Sequence, residues 1–485
     1  MNIHTAFATP TSCWPLASNV KSRTLTWIIA MTVLATLAMP LPLVAQDGQD
    51  RNQKHHHYKQ VDLGTFGGPN AFYESDPPEI IINSRGVVAA SADTLALDPY
   101  CIDSPDCYVT HAFLWHDGTR TKLDSLPGGS SSFTYSINAS GKTVGAAENG
   151  DTDPLTGYPE FAAVLWKDGI STLGTLGGNQ SAANAINDRG QVVGAALNAI
   201  PDPLANDFAQ NYLFVPAATQ VRAFLWTEAA GMQDLGTLGG PDSTAAFVNQ
   251  HGQIAGQSYT NAIVNPATSS PTQDPFFWDN GEMVDVGTLG GTRGTSLGLN
   301  NRGQVVGKSN VAGDQTQHAF LWDKQGGLKD LGTLNAYSYS SEANWINDAS
   351  EIVGDSVAVT ASGVFSSRAF LWKKGNMIDL GTVADDACSA ALSINSRGQI
   401  VGFGSADCFH EDHAFLWENG GPIVDLSTVV LPGSAVTLIE AIFINDRGEI
   451  AARGKLANGA EHAVVLLPCD EDHADVKGCD YSLKE

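Results

Sequence analysis

Short apolar runs alternate along the chain with turn-forming clusters. In Asn187-Asp188-Arg189-Gly190, Asn stands first and Gly fourth, with apolar residues on both sides. That chemistry suits a type I turn with a left-handed exit residue, so it predicts a hairpin between two strands, A and B. Trp166-Lys167-Asp168-Gly169 and Trp417-Glu418-Asn419-Gly420 predict a second kind of hairpin, from a strand C to a strand D that ends Asp-Leu-Gly. Strands B and C are apolar almost without a break, as in Val192-Val193-Gly194 and Ala223-Phe224-Leu225-Trp226. A sheet packed between two neighbours needs both faces dry. Strand A is rich in small residues, as in Ser181-Ala182-Ala183-Asn184-Ala185, which suits a crowded position near an axis. No stretch after the N-terminal apolar run shows helical periodicity, so an all-β protein is expected.

These elements return in fixed order. D-L-G-T-L-G-G begins at Asp62, Asp234, Asp285, Asp330, Asp379 and Asp425, with weaker copies at Lys122 and Thr172. The turn Asn recurs at Asn83, Asn138, Asn187, Asn249, Asn300, Asn347, Asn395 and Asn445. H-A-F-L-W ends at Trp115, Trp166, Trp226, Trp278, Trp322, Trp372 and Trp417, with Leu466 or Leu467 in the eighth place. Four strands in about 50 residues, repeated eight times, predict an eight-bladed β-propeller with four-stranded antiparallel blades over residues 60–468. A linear β-solenoid is the competing architecture; its coils are usually shorter and lack two tight hairpins each. The repeats begin with a lone strand D at Val61-Asp62-Leu63-Gly64-Thr65 and end on A, B and C, so the first strand is expected to complete the last blade.

The copies around His318-Ala319-Phe320-Leu321-Trp322 and Leu235-Gly236-Thr237-Leu238-Gly239-Gly240 resemble the HAF-repeat family of probable extracellular bacterial proteins. The resemblance covers about residues 60 to 467 and implies export and a repeat architecture, without an activity to carry over.

Export is also legible at the N-terminus. Residues 1–45 contain no Asp or Glu; Lys21 and Arg23 precede an apolar run from Thr24 to Met39, and Ala45 offers a small residue for cleavage. This reads as a signal peptide, followed by a polar segment over 46–59. The run is short for a membrane span, and no other stretch resembles one. The net charge is −26, and loss of Lys21 and Arg23 makes it more negative still. Such a surface repels nucleic acid and anionic lipid. Six cysteines remain, in local pairs: Cys101 with Cys107, Cys388 with Cys408, and Cys469 with Cys479 in a tail over 469–485. They predict disulfides and an extracellular or periplasmic location.

Candidate chemistry is sparse. There is no nucleophile elbow, HExxH, P-loop or Cys/His nucleophile pair, and no catalytic residue, metal site or cofactor is predicted. His55-His56-His57 and Glu148 to Asp153 read as solvated segments rather than metal sites. The residue opening strand C falls near the Asp that ends strand D. This predicts cross-strand pairs: Arg222 with Asp234, His318 with Asp330, Arg368 with Asp379, His413 with Asp425 and, across the closure, His462 with Asp62. Asp274 with Asp285 and His111 with Lys122 break the pattern. The A–B and C–D turns stay tight, whereas the B–C connections vary from Lys308–Gln317 to the long Ala195–Val221. B–C and D–A connections leave an antiparallel sheet on the same side, so function is expected there. Phe208, Tyr212, Leu213 and Phe214 in the longest loop are either a contact patch or that loop's own packing. A non-catalytic binding scaffold for a glycan, an envelope component or a protein is the leading functional expectation; a carbohydrate-active hydrolase or lyase is the alternative.

Overall fold

The computed structural model describes residues 57–74, 80–100, 107–213, 215–266, 268–335, 338–359, 365–474, 476, 477 and 479. The expected signal peptide, most of segment 46–59, Cys101 and Phe214 lie outside the described residues.

The chain is all-β, built from four-stranded antiparallel sheets in which strands A to D pair in chain order. One sheet runs Gly177–Ile186, Val192–Pro201, Thr219–Thr227 and Gly231–Asp234. Among the described residues there are six separate four-stranded sheets and one of eight strands. The eight-stranded sheet consists of two four-stranded halves touching through a single parallel bridge, Gln273 to Arg293. The first strands of successive sheets pack on one another from Ser132–Ile137 onward, and the fourth strands mostly stand apart. Sheets that converge at their first strands and splay at their fourth are arranged as the blades of a β-propeller.

The turn chemistry fixes the A–B corners. Gly190 stands at φ +78° and Gly398 at +78°, and Ser350 takes the same left-handed conformation at +61°. Just beyond, strand A bulges: the register shifts between Ala183 and Ala185, and Asn184 is the extra residue. The glycine that ends Val-Val-Gly lies against this bulge. A Cβ on Gly194 would sit 2.0 Å from the Ala182 carbonyl oxygen, and one on Gly402 would sit 2.0 Å from that of Ala390. Ala90 and Ala452 hold the equivalent place in the first and last repeats. Gly194→Ala should therefore cost about 1–3 kcal/mol as the bulge shifts. A denaturant midpoint equal to that of the parent would contradict this account of the motif glycine.

The N-terminal strand Tyr58–Asp62 pairs antiparallel with Glu461–Pro468, joining Ile450–Lys455 and Thr437–Ile444 in one sheet. Tyr58 is fully buried, and its backbone exchanges hydrogen bonds with Val429 and Leu431 at 2.9 Å each, which covers the start of this edge. The C-terminal tail docks beside it. His473 is buried with Nδ1 2.6 Å from Asp470 and Nε2 3.4 Å from Glu449. Disulfides join Cys388 to Cys408, tying the start of a strand A to a B–C connection, and Cys469 to Cys479. Cys107 is also disulfide-bonded. No helix among the described residues is long and apolar enough to cross a membrane.

The absence of helix expected from the sequence is corrected. Ala205–Tyr212 in the longest B–C loop is an α-helix, α1. Ala205, Phe208, Ala209 and Tyr212 follow i, i+3, i+4, i+7, the period of one helical face. The proposed contact patch is corrected with it. Phe208 and Leu213 are buried, at 1% and 6% exposure, in a cluster with Val221 and Tyr259; Tyr212 is half-buried against them. Burying a Phe or Leu side chain is worth about 1.5–3 kcal/mol, so these residues hold the loop down instead of offering a surface.

Candidate functional site

At the turn end of the sheets, every repeat Asn is buried, and its side chain works in two directions. In Asn187, Oδ1 accepts from the backbone N–H groups of Arg189 and Gln191 at 3.1 and 3.0 Å, which closes the A–B turn. Its Nδ2 donates to the carbonyl of Asn249 in the next repeat at 2.9 Å. The same bond runs from Asn83 to Asn138, Asn138 to Asn187, Asn249 to Asn300, Asn300 to Asn347, Asn347 to Asn395 and Asn395 to Asn445. Asn445 then donates to the carbonyl of Asn83 at 3.0 Å, so the series returns to its start. The sequence reading recognised the turn half of this role and missed the inter-sheet half.

The other end carries the B–C and D–A connections. Three of the expected polar pairs stand on its rim. His462 Nδ1 lies 2.8 Å from Asp62, His318 Nδ1 lies 3.0 Å from Asp330, and Arg222 Nε lies 3.2 Å from Asp234. Each Asp is directly opposite an apolar residue, as Asp62 is opposite Val464 and Asp234 opposite Phe224. The His or Arg reaches it diagonally from two residues away on the same side of the strand. Hydrogen bonding to Asp62 raises the His462 pKa. On Asp62, burial pulls upward, but bonds from His462 and the Gly64 amide hold the carboxyl below its ordinary value. In a double-mutant cycle of His462→Ala and Asp62→Ala, about 0.5–1 kcal/mol of coupling is expected near pH 6. That coupling should fade as His462 deprotonates. Additive losses at every pH would argue against the pair.

Two expected pairs are corrected. His413 Nδ1 bonds Asp386 at 3.0 Å rather than Asp425, whose carboxylate accepts the Ser427 amide at 2.8 Å and caps the 3-10 turn Leu426–Thr428. Among the described residues no ion pair joins Arg368 to Asp379; the Asp379 carboxylate accepts the Gly381 amide at 2.8 Å. The two rule-breaking positions are electrostatically unusual. Burial, with Asp285 beside it, pushes Asp274 up to about 7. Burial, with Lys122 nearby, lowers His111 to about 4.

A carboxyl pair that the sequence reading missed lies beneath α1. Asp242 is fully buried and Asp202 nearly so; Asp242 Oδ1 accepts the Val221 amide at 2.8 Å, and Asp202 Oδ1 accepts the Leu204 amide at 3.0 Å. Burial, with Asp202 alongside, pushes Asp242 up to about 8. Burial is the larger cause, and the neighbouring Asp202 adds to it. The pair holds the two ends of the α1 loop. Asp207 on α1 accepts from the Tyr259 and Ser270 hydroxyls at 3.1 and 2.7 Å. The crevice between α1 and the next B–C loop, lined by Tyr212, Tyr259 and Arg293, has about 10 Å³ of open space, room for one water. A wider groove of about 420 Å³ lies between Lys59–Asp62 and the Leu431–Val436 connection.

The apolar surface is distributed unevenly. Among the described residues, Leu95, Leu97, Tyr100, Leu155, Tyr158, Ile200, Ile263, Val264, Tyr339 and Phe409 are exposed, and all lie on B–C or D–A connections or the strand ends entering them. Among the described residues, Ile378, on an outer strand D, is the one exposed large apolar side chain elsewhere. The loop end is thus the apolar end of the molecule.

No family model and no curated protein matches the sequence. The chain is similar in structure to the β-propeller domain of the Trilobed protease from Pyrococcus furiosus, at 9% identity and a TM-score of 0.39, over 73% of this chain and 95% of that one. It is similar to the Pyrococcus horikoshii acylaminoacyl peptidase at 12% identity and a TM-score of 0.39, over 79% of this chain and 57% of the peptidase. Against Trypanosoma rangeli sialidase the identity is 9% and the TM-score 0.29, over 84% of this chain and 59% of the sialidase.

Proposed function

We propose that the chain is a secreted, HAF-repeat-type, eight-bladed propeller, closed by its N-terminal strand, that acts as a non-catalytic binding scaffold through its loop end. The count of eight is supported by the eight turn Asn residues, whose hydrogen bonds run from each repeat to the next and back to the first. Export is supported by the N-terminal sequence and by the disulfides. The observation that carries the binding reading is the concentration of exposed apolar side chains on one end of the molecule. Exposed apolar side chains gathered at one end are the kind of surface that interaction sites use. Glycans, envelope components and proteins are the partner classes.

The test is thermal unfolding of the chain with EDTA, Ca²⁺ and a panel of oligosaccharides and envelope polysaccharides. A ligand at a hundred times its dissociation constant adds about 2.7 kcal/mol. A saturable shift that disappears when the exposed loop side chains are replaced supports a binding scaffold. Product formed from that same ligand would turn the reading to the carbohydrate-active alternative.

A further inference from the structure

The exposed apolar side chains concentrate on the first four repeats: Leu95 and Leu97, Leu155, Ile200, Ile263 and Val264, with Leu95 77%, Leu155 69% and Ile263 78% exposed. Each sits on the B–C connection of its repeat, so the four connections follow one another around the same end of the molecule. A single buried cluster lies beneath most of this arc. It takes Phe133 from the second repeat, Ala195 and Phe208 from the third and Tyr259 from the fourth, with Phe72 of the first packed against it. The third connection, with α1, rests on this cluster, which the strands flanking its neighbours share.

The connections themselves carry charge of one sign, with the exposed Arg293 at the crevice beside the fourth. The described residues of these four connections contain no Lys, Arg or His. The first three carry carboxylates that reach the surface beside the apolar tips: Asp98, Asp151 with Glu160, and Asp207. Six of the eight exposed tips are aliphatic, with Tyr100 and Tyr158 beside them, so most of this surface suits aliphatic side chains better than the flat stacking that a sugar ring makes. An anionic polymer would be repelled from the same surface.

We infer that this arc binds a cationic amphipathic polypeptide segment, one presenting Lys or Arg together with aliphatic side chains. This rests on the binding reading of the loop end and narrows it to one partner chemistry. Aliphatic tips supply contact area, and carboxylates steer and pair the cations at the rim. Neither feature alone gives selectivity. An acidic surface holds any polycation weakly, and an apolar surface holds any greasy peptide.

The experiment titrates the whole chain against three labelled peptides of equal length: Lys/Leu, Lys/Ser and Glu/Leu. The Lys/Leu peptide should bind saturably, weaken as salt screens it, and exceed each of the others at least about tenfold. The variant Leu95→Ser, Leu97→Ser, Leu155→Ser, Ile263→Ser leaves the net charge unchanged. Its residues are exposed, so folding should persist and is checked by its melting temperature. It should bind Lys/Leu at least about tenfold more weakly, whereas Ile378→Ser, away from the arc, should bind as the parent does. Asp151→Lys should weaken binding as well. Saturable binding that the four serines leave untouched would reduce the effect to bulk charge and overturn the proposal. So would equal affinity for Lys/Ser. If no peptide binds but the same variant abolishes a shift produced by a polysaccharide, the loop end remains a binding surface and the polypeptide chemistry falls. If neither ligand class binds, both fall.

Discussion

Asn445→Ala should cost about 3–5 kcal/mol, the largest loss expected for any single exchange at the turn end. The side chain is buried at 6% exposure and makes four hydrogen bonds. Its Oδ1 accepts the amides of Arg447 and Glu449, both at 3.0 Å, and its Nδ2 reaches the Asn83 carbonyl at 3.0 Å and Glu449 Oε2 at 2.6 Å. Alanine leaves the Arg447 and Glu449 amides without their acceptor and takes one donor each from the Asn83 carbonyl, which keeps the Gly86 amide, and from the buried Glu449 carboxylate, which keeps Arg447 and His473. Each buried unsatisfied group costs about 1–3 kcal/mol, and partial relaxation keeps the sum below the simple total. Asn395→Ala removes an equivalent set of bonds inside the series. The two variants differ in place: Asn445 joins the last repeat to the first. Asn445→Ala should therefore also raise amide exchange in Tyr58–Asp62, and Asn395→Ala should not. The check is a denaturant midpoint for both variants together with exchange rates for that strand. A loss under 1 kcal/mol for Asn445→Ala would mean that the turn closes without the side chain.

The features legible in the sequence were those whose chemistry fits inside a few residues. Asn187 and Gly190 announce their turn because donor, acceptor and left-handed residue lie within one corner. The spacing of Arg222 to Asp234 and of His318 to Asp330 is equally local, since a tight C–D hairpin keeps the count constant. His413 shows where that logic stops. Asp425 holds the expected register, opposite Phe415, but Asp386 from the preceding D–A connection competes for the imidazole and wins. No spacing rule within one hairpin contains that competitor. The inter-sheet bonds of the turn Asn residues were hidden for the same reason: their acceptors lie 47 to 62 residues away, or 362 at the closure. The α1 helix was different, because its apolar period was present in Ala205, Phe208, Ala209 and Tyr212. Two turns of helix inside an all-β repeat give a signal much weaker than the eight-fold recurrence around them. Reading it would have turned Phe208 inward and removed the contact patch, leaving the shorter, aliphatic B–C tips as the exposed surface.

Replacing Asp242 with Asn should stabilise the protein at pH 7, by about 1–3 kcal/mol. In the folded chain Asp242 is pushed up to about 8 by burial and by Asp202, whereas an unfolded Asp titrates near its ordinary value, about 4. Between those values the folded state binds the extra proton, so stability falls as pH rises and is fully present only below the unfolded pKa. Asparagine removes that dependence. Its carbonyl can still accept the Val221 amide, and its amide can donate to the Asp202 oxygen that lacks a partner. Arg222, the cation that favours the charged form, keeps its contact with Asp234 in the variant. Melting temperatures from pH 4 to 8 should fall more steeply for the parent than for Asp242→Asn. The variant should keep some slope, because Asp274, pushed up to about 7 by burial and by Asp285, titrates in the same sense. Parallel profiles would show that Asp242 is ionised in the folded chain.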